Sequence, residues 1–165
     1  VVVLGEMRDI ETTRTAIELA ETGHLVIASL HTRTAVSTID RLIGQFEPAE
    51  QAQVRMMISE NLIGVLTQTL LAKKSGGLIA AFEVLVANSA IRNLIREQKV
   101  PQIYSIMQMG RREGMCTMED SLLSLVDSGT VSAAEAVSKS AFRNDLLDKL
   151  RASPNVDKAE LEDIY

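Results

Sequence analysis

The first nine residues place a predicted buried β-strand directly before a polar segment. Val1 to Leu4 are bulky and apolar, and three of the four are β-branched, which favours a strand packed on both faces in a parallel sheet. Gly5 ends this strand, and the carboxylate of Glu6 follows where the strand would open into a crevice. Ligands of open α/β folds bind in such a crevice. A carboxylate there can hold Mg²⁺ through its water shell or orient an attacking water. The alternative is a solvated glutamate after a purely structural strand.

A second apolar segment, from Leu25 to Leu30, predicts a strand with a histidine at each end, His24 and His31. The residues between the two strands carry apolar side chains in steps of three and four, which predicts a helix. A strand, a helix and a strand in this order predict a right-handed crossover and a parallel pair. His31 then lies at the same edge as Glu6, where an imidazole can donate to a phosphate oxygen. A structural role is the alternative, and it weighs most for His24.

The rest of the chain alternates predicted helices with one predicted hairpin. Spacing, caps and turn residues predict helices over 34–44, 48–61 and 90–97, strands over 65–71 and 78–86, and further helices after residue 100. Ser89 is the expected N-cap of the 90–97 helix, and Ser132 begins an expected capping box. We therefore predict an α/β half over 1–100, with a mixed sheet of parallel strands plus a hairpin, a helical set over 101–152 and an acidic tail over 153–165.

Composition excludes several classes of protein. The net charge of −5 argues against a broad electrostatic surface for nucleic acid or for an anionic membrane. Cys116 is the only cysteine, so we expect no disulfide framework, no cysteine-based zinc site and a reducing compartment. A continuous apolar segment of about 18 residues, the length that spans a bilayer, is absent, and we expect no insertion into a membrane. Because the chain opens inside a predicted strand at Val1, we expect it to be a piece of a longer protein.

Four motifs together resemble a known family. They are Gly5-Glu6-Met7-Arg8-Asp9, Ala20-Glu21-Thr22-Gly23-His24-Leu25-Val26, Leu30-His31-Thr32 and Ala90-Ile91-Arg92-Asn93-Leu94-Ile95-Arg96-Glu97. In this order they resemble the C-terminal domain of the retraction ATPases of type IV pili, in the secretion-ATPase superfamily. The first is similar to that superfamily's Walker B box, and Thr22 to Thr32 to its His box. The octapeptide from Ala90 to Glu97 resembles a motif associated with the retraction motors, and the likeness ends at about Ser140.

The resemblance implies a site and an assembly. It implies part of a RecA-like P-loop NTPase core that binds ATP and Mg²⁺, followed by a small helical set. Glu6 would be the Walker B acid, acting on Mg²⁺ through water, and His31 would lie near the γ-phosphate. Arg8 and His24 would be lesser members of the same nucleotide site. Such motors are hexameric rings in the cytoplasm, at the inner face of the bacterial inner membrane, where they act with inner-membrane proteins of the pilus base.

Two parts of the family's site are missing from this sequence. The glycine-rich phosphate loop with its lysine and the acidic box with the catalytic glutamate lie upstream in the family. Without them we predict that residues 1–165 alone do not hydrolyse ATP. The family's extension motors usually carry a four-cysteine zinc insertion, which is also missing and favours retraction. The alternatives are an inactive assembly module, a paralogous secretion-ATPase subunit, and a small-molecule enzyme that uses Glu6 and His31 as an acid–base pair.

The octapeptide also predicts a coupling surface. Three of its apolar residues form a buried helical stripe, which leaves a polar set free to bind a partner: Arg92, Asn93, Arg96 and Glu97. Two guanidinium groups one turn apart suit carboxylates on a neighbouring subunit or on a pilus-base protein. We predict that Arg92→Ala in the intact protein preserves folding and most ATP hydrolysis but abolishes retraction. The alternative is a helix whose arginines are simply solvated.

Overall fold

A computed structural model of the chain describes residues 1–156, 158 and 161. The fold class is α/β, as predicted. The strands are β1 (Val2–Leu4), β2 (Val26–Ala28), β3 (Gly64–Ala72) and β4 (Leu78–Val86), and the helices are α1 (Ile10–Glu21), α2 (Ala35–Gly44), α3 (Gln51–Asn61), α4 (Ser89–Arg96), α5 (Ile103–Met109), α6 (Met118–Asp127), α7 (Ala133–Lys139) and α8 (Arg143–Ala152).

Strands β1 and β2 form the predicted parallel pair, and helix α1 connects them. Val2 lies opposite Val26, and Leu4 lies opposite Ala28. The side chain of Asp9 caps α1 by accepting a hydrogen bond from the Thr12 amide at 2.8 Å. The connection between the strands is therefore the crossover helix that the sequence predicts, although both strands are shorter than expected.

One face of the parallel pair is exposed, which corrects the predicted burial on both faces. Val3 is 71% exposed and Ile27 is 53% exposed, and the two lie opposite each other in the register. On the other face, Leu4 and Val26 pack against a hydrophobic cluster. Among the described residues, other elements pack against that face only. Because side chains alternate between the two faces of a strand, every second side chain is therefore in solvent.

Strands β3 and β4 form an antiparallel hairpin, as predicted, but it does not join β1 and β2. In the part of the chain that the structure describes, the two pairs are separate sheets, so the predicted mixed sheet is wrong. Residue pairing in the hairpin runs from Gly64 opposite Val86 to Ala72 opposite Leu78. The backbone of β4 bonds outward to Cys116 instead, with the Val84 amide 2.8 Å from the Cys116 carbonyl oxygen.

Two hydrophobic clusters share the hairpin. The first contains α2, α4 and α5, and its fully buried side chains include Ile39, Leu85, Ile91, Ile95 and Ile103. The second contains α6, α7 and α8, and its buried side chains include Leu71, Ala81, Leu122, Leu146 and Leu150. Helix α5 therefore packs with the N-terminal elements. The predicted domain boundary at residue 100 stays a prediction.

Two helices begin at residues other than those predicted. Residues 48–50 form a turn, and α3 begins at Gln51. The N-cap of α4 is Asn88 and not Ser89, because Asn88 has an extended backbone and its side chain accepts from the Ile91 amide at 3.0 Å. Asparagine is among the strongest N-cap residues, so Ser89 becomes the first helical residue.

Helix α7 begins at its predicted N-cap, Ser132. The Ser132 side chain accepts from the Glu135 amide at 3.2 Å, while the Glu135 carboxylate accepts from the Ala72 amide at 3.1 Å and so contacts β3. Of the predicted acidic tail, Val156 and Leu161 are buried against the second cluster, and residues 157, 159, 160 and 162–165 lie outside the described residues. Among the helices described, none has both the length and the apolar character needed to cross a membrane.

Candidate functional site

Glu6 and His31 meet at the carboxyl-terminal edge of the parallel pair. Backbone pairing continues past both strands, with the Met7 amide 3.0 Å from the Ser29 carbonyl oxygen. This register brings Nε2 of His31 to 3.0 Å from Oε1 of Glu6. The predicted convergence of these two side chains on one edge is confirmed.

The second carboxylate oxygen of Glu6 bonds to Arg8. Nε of Arg8 lies 2.6 Å from Oε2 of Glu6. The Glu6 side chain is 22% exposed, whereas those of Arg8 and His31 are 77% and 78% exposed. One partly buried carboxylate therefore lies between two hydrogen-bond donors that solvent and ligands can reach. Such a group can orient water or hold a hydrated cation, and its neighbours can donate to phosphate oxygens.

Helix α2 fixes the backbone that carries His31. Nη1 of Arg41, on α2, donates to the His31 carbonyl oxygen at 3.2 Å. The hydroxyl oxygens of Thr32 and Thr38 lie 2.6 Å apart, which ties the segment after His31 to the first turn of the helix. Thr34 begins α2 with a capping box. The position of His31 is therefore set by α2 as well as by β2.

His24 lies at the opposite end of β2 and not beside Glu6. Its Nδ1 lies 3.1 Å from the Thr22 hydroxyl and 3.2 Å from the Leu19 carbonyl oxygen. It therefore closes the C-terminal end of α1, where Gly23 adopts a left-handed φ of 89°. The structure brings Glu6, Arg8 and His31 together and leaves His24 out of this group.

Arg92 is bonded within the chain, which corrects the prediction that it is free. Its guanidinium donates to the carbonyl oxygen of Ala87 at 3.0 Å and to that of Ser59 at 2.8 Å. A further bond goes to the Glu60 carbonyl oxygen. Ser59 and Glu60 belong to the last turn of α3, whose carbonyls have no partner within their own helix. Arg92 therefore joins α4 to α3.

The other polar residues of the octapeptide lie on the exposed side of α4. Asn93 donates to the Glu97 carboxylate at 2.9 Å, and Lys99 pairs with the other Glu97 oxygen at 2.8 Å. The bond from Lys99, followed by that from Asn93, lowers the pKa of Glu97 below its ordinary value. Arg96 is exposed beside them. Three of the four predicted surface residues are therefore accessible to a partner.

Sequence reasoning missed two buried carboxylates. Glu83, on β4, is 1% exposed, and Glu119, on α6, is fully buried. Glu119 accepts from the Ser140 hydroxyl at 2.9 Å, from the Phe142 amide at 3.2 Å and from the Tyr104 hydroxyl at 3.0 Å. Glu83 could have been found from its strand, because period-two alternation puts it on the same inward face as Ala81 and Leu85.

The residues at the Glu6 edge fit a hydrated cation and a terminal phosphate, but not a whole nucleotide. Across residues 1–156, 158 and 161, no group of three or more His, Cys, Asp or Glu side chains could hold a metal ion directly. A single carboxylate such as Glu6 suits Mg²⁺, which keeps most of its waters. The sequence contains no G-x-x-x-x-G-K-[ST] segment, so the amides that would bind the inner phosphates are not supplied by these residues.

A comparison with known families decides the relationship. The profile of the Type II/IV secretion system protein family matches residues 1–139. The chain belongs to this family. The matched range contains both strands of the Glu6 edge, the hairpin and the octapeptide. The predicted resemblance to the secretion ATPases is confirmed.

Individual members of the Type II/IV secretion system family are also similar. The type IV pilus retraction ATPase PilT of Pseudomonas aeruginosa is 49% identical over 139 residues, which are 84% of this chain and 40% of the relative. A twitching motility protein of Neisseria gonorrhoeae is 49% identical over 137 residues, 82% of this chain and 37% of the relative. A crystal structure of the pilus retraction motor PilT with bound ADP matches with a TM-score of 0.79 and 45% identity, over 87% of this chain and 40% of that one. The chain thus spans about two fifths of the length of these relatives.

Proposed function

We propose that this chain is the C-terminal part of an ATPase that powers type IV pilus retraction. The observation that carries the proposal is the Glu6–His31 contact of 3.0 Å at the edge of a parallel pair. The 49% identity to a retraction ATPase and to a twitching motility protein supports this proposal. These similarities do not favour the alternative of an inactive assembly module. The match to the PilT structure supports a RecA-like core whose phosphate loop lies in another part of the protein.

Each residue at the edge has a proposed role in hydrolysis. Glu6 would hold Mg²⁺ through a water and orient the water that attacks the terminal phosphate. Arg8 keeps the Glu6 carboxylate in place, and His31 would donate to an oxygen of that phosphate. Mg²⁺ held by Glu6 would neutralise charge that develops on the phosphate oxygens. The resemblance also implies that His24 contacts the nucleotide. His24 lies at the opposite end of β2 from Glu6, so the geometry of this edge does not support that role.

The proposed assembly follows from the same relatives. We propose a homo-oligomeric ring, most simply a hexamer, in the cytoplasm at the inner face of the inner membrane. There it would act on inner-membrane proteins of the pilus base through the exposed Arg96, Asn93 and Glu97. Residues 1–165 alone would not hydrolyse ATP and would bind it only weakly, because their sequence contains no phosphate loop. Calorimetry that gives micromolar affinity of residues 1–165 for ATP would contradict this last point.

The test of the ATPase uses the full-length protein with Glu6→Gln. This change keeps the shape of the side chain and removes its charge. We expect turnover to fall by about a hundredfold or more, while ATP binding measured by calorimetry persists. Glu21→Gln is the matched control, because Glu21 is an exposed glutamate at the end of α1. Hydrolysis by Glu6→Gln at the rate of the control would remove Glu6 from the site, and a wild-type protein without ATPase activity would refute the function.

A further inference from the structure

Glu83 brings together three hydrogen-bond donors in the interior. Its Oε1 accepts from the Ala35 amide at 2.5 Å and from the Thr67 hydroxyl at 3.3 Å. Its Oε2 accepts from the Met118 amide at 3.4 Å. The side chain is 1% exposed, so these donors and not water solvate the carboxylate. Burying a carboxylate is costly unless it is hydrogen-bonded in this way.

The two amides occupy equivalent positions in two helices. Ala35 is the first residue of α2, and Met118 is the first residue of α6. In each helix a threonine N-cap accepts from the third amide, Thr34 from Ser37 at 3.0 Å and Thr117 from Asp120 at 3.2 Å. The first amide of each helix therefore remains for Glu83. A negative charge at a helix N-terminus is also favoured by the helix dipole.

The two helices belong to different clusters. Helix α2 contributes Ile39 and Leu42 to the first cluster, and α6 contributes Leu122 and Val126 to the second. Glu83 itself lies on β4, which both clusters share. One carboxylate thus bonds to the first residue of two helices from two clusters, and so fixes the position of one helix start relative to the other.

Helix α2 also carries the contacts that position His31. Arg41 bonds to the His31 carbonyl oxygen, and Thr38 bonds to Thr32 in the segment between His31 and the helix. A shift in the start of α2 would therefore move the His31 backbone relative to Glu6. A misplacement of about 1 Å in a reacting group can cost on the order of a hundredfold in rate.

We propose that Glu83 is a positioning residue that links α6 to α2 and thereby fixes where His31 meets Glu6. Its effect on hydrolysis rests on the proposed function, whereas its effect on the position of α2 does not. Movement of the second cluster would reach the Glu6–His31 edge through this carboxylate. Glutamine at this position cannot accept from both amides, because its NH₂ group faces one of them, so the link between α6 and α2 is broken in either orientation of the side chain.

The experiment compares Glu83→Gln with Glu119→Gln in the full-length protein. Glu119 is the control because it is an equally buried carboxylate whose partners Tyr104, Ser140 and Phe142 all lie outside α2. Hydrogen exchange followed by mass spectrometry reports on residues 32–38, and steady-state kinetics report kcat and KM. We expect Glu83→Gln to speed exchange in 32–38 by about tenfold or more. We also expect it to lower kcat by about ten- to a hundredfold, with KM for ATP changed by less than about threefold.

The outcomes separate the inference from the proposed function. Unchanged exchange over 32–38 in Glu83→Gln, or the same loss of kcat in Glu119→Gln, would overturn the positioning role. A wild-type protein that hydrolyses no ATP would refute the proposed function, and the exchange measurement would still decide the role of Glu83. If Glu83→Gln does not fold, Glu83→Asp replaces it, because a side chain shorter by one methylene keeps the charge and withdraws the carboxylate from the two amides. We expect faster exchange over 32–38 in Glu83→Asp, and an unchanged rate would again overturn the proposal.

Discussion

Nη1 of Arg92 lies 2.8 Å from the carbonyl oxygen of Ser59, so the octapeptide helix is bonded to the last turn of α3. A positive charge at the C-terminal end of a helix is favoured by the helix dipole. The same guanidinium also reaches Ala87, just before α4. Arg92 therefore contributes to the packing of two helices, which is a different role from the free surface group that the sequence predicts.

The first prediction concerns stability. Arg92→Ala removes charge-assisted hydrogen bonds, and we expect it to lower the free energy of unfolding by about 1.5–3 kcal/mol. Arg96→Ala is the matched control one turn away, and we expect a change within about 0.5 kcal/mol because Arg96 is exposed. Urea denaturation of the two variants measures the difference. Equal midpoints would show that the contacts of Arg92 contribute nothing.

The second prediction concerns coupling and now uses Arg96. A loss of motility in Arg92→Ala would be confounded by loss of stability, so Arg96→Ala in the full-length protein is the cleaner variant. We expect ATP hydrolysis within about twofold of wild type and loss of pilus retraction, because an exposed guanidinium can bind carboxylates on a partner. Twitching assays and ATPase rates should be measured on the same allele. Normal motility, or a parallel loss of hydrolysis, would remove the octapeptide as a separate coupling surface.

The third prediction ranks the two histidines. We expect His31→Gln in the full-length protein to lower kcat by about a hundredfold, because His31 contacts Glu6 at the edge. His24→Gln makes the same chemical change at the opposite end of β2, and we expect a much smaller loss of kcat. Steady-state ATPase rates of the two proteins decide between them. Equal losses would place His24 in the nucleotide site after all, through contacts with another part of the full-length protein.

The parallel pair and its site edge could be predicted because their signals are local. Two apolar segments on either side of an amphipathic helix determine the crossover, and the crossover determines that Glu6 and His31 share an edge. The same local pattern cannot show how many layers cover the pair. The exposure of Val3 and the separation of the two sheets depend on which other elements pack there.

The bonds of Arg92 and Glu83 could not be predicted because their partners are distant in sequence. Periodicity correctly places Arg92 outside the stripe of Ile91 and Ile95, but the carbonyls that it bonds lie on α3. Alternation places Glu83 inward, but its donors are the first amides of two helices. The local pattern of hydrophobic and polar residues therefore predicts neither set of hydrogen bonds.

The fourth prediction concerns pH. Burial raises the pKa of Glu83, and the nearby charge of Glu119 adds to this effect against the bonds from Ala35 and Met118. A folded-state pKa above the unfolded value of 4.5 means that the folded state binds more protons in the interval between the two. The contribution of Glu83 to stability is therefore full below pH 4.5 and is lost as the pH rises through the folded pKa.

The measurement is the difference in unfolding free energy between wild type and Glu83→Gln at several pH values. We expect this difference to shift against the wild type as the pH rises, because glutamine does not titrate. Taking the difference removes the contributions of carboxylates that do not interact with Glu83, such as Asp9, whose pKa is lowered by its bond from the Thr12 amide. A difference that is constant with pH, or that shifts in favour of the wild type, would contradict the prediction.

The shared hairpin has a consequence for how the chain loses its structure. Leu85 packs in the first cluster, and Leu71 and Ala81 pack in the second, yet all three stand on one continuous ladder of backbone bonds. If either cluster unfolded alone, the part of the hairpin that packs against it would become exposed while the rest of the hairpin stayed folded. Such a half-melted state exposes apolar surface without gaining the full entropy of the unfolded chain. The two clusters are therefore expected to unfold together, in a single cooperative transition.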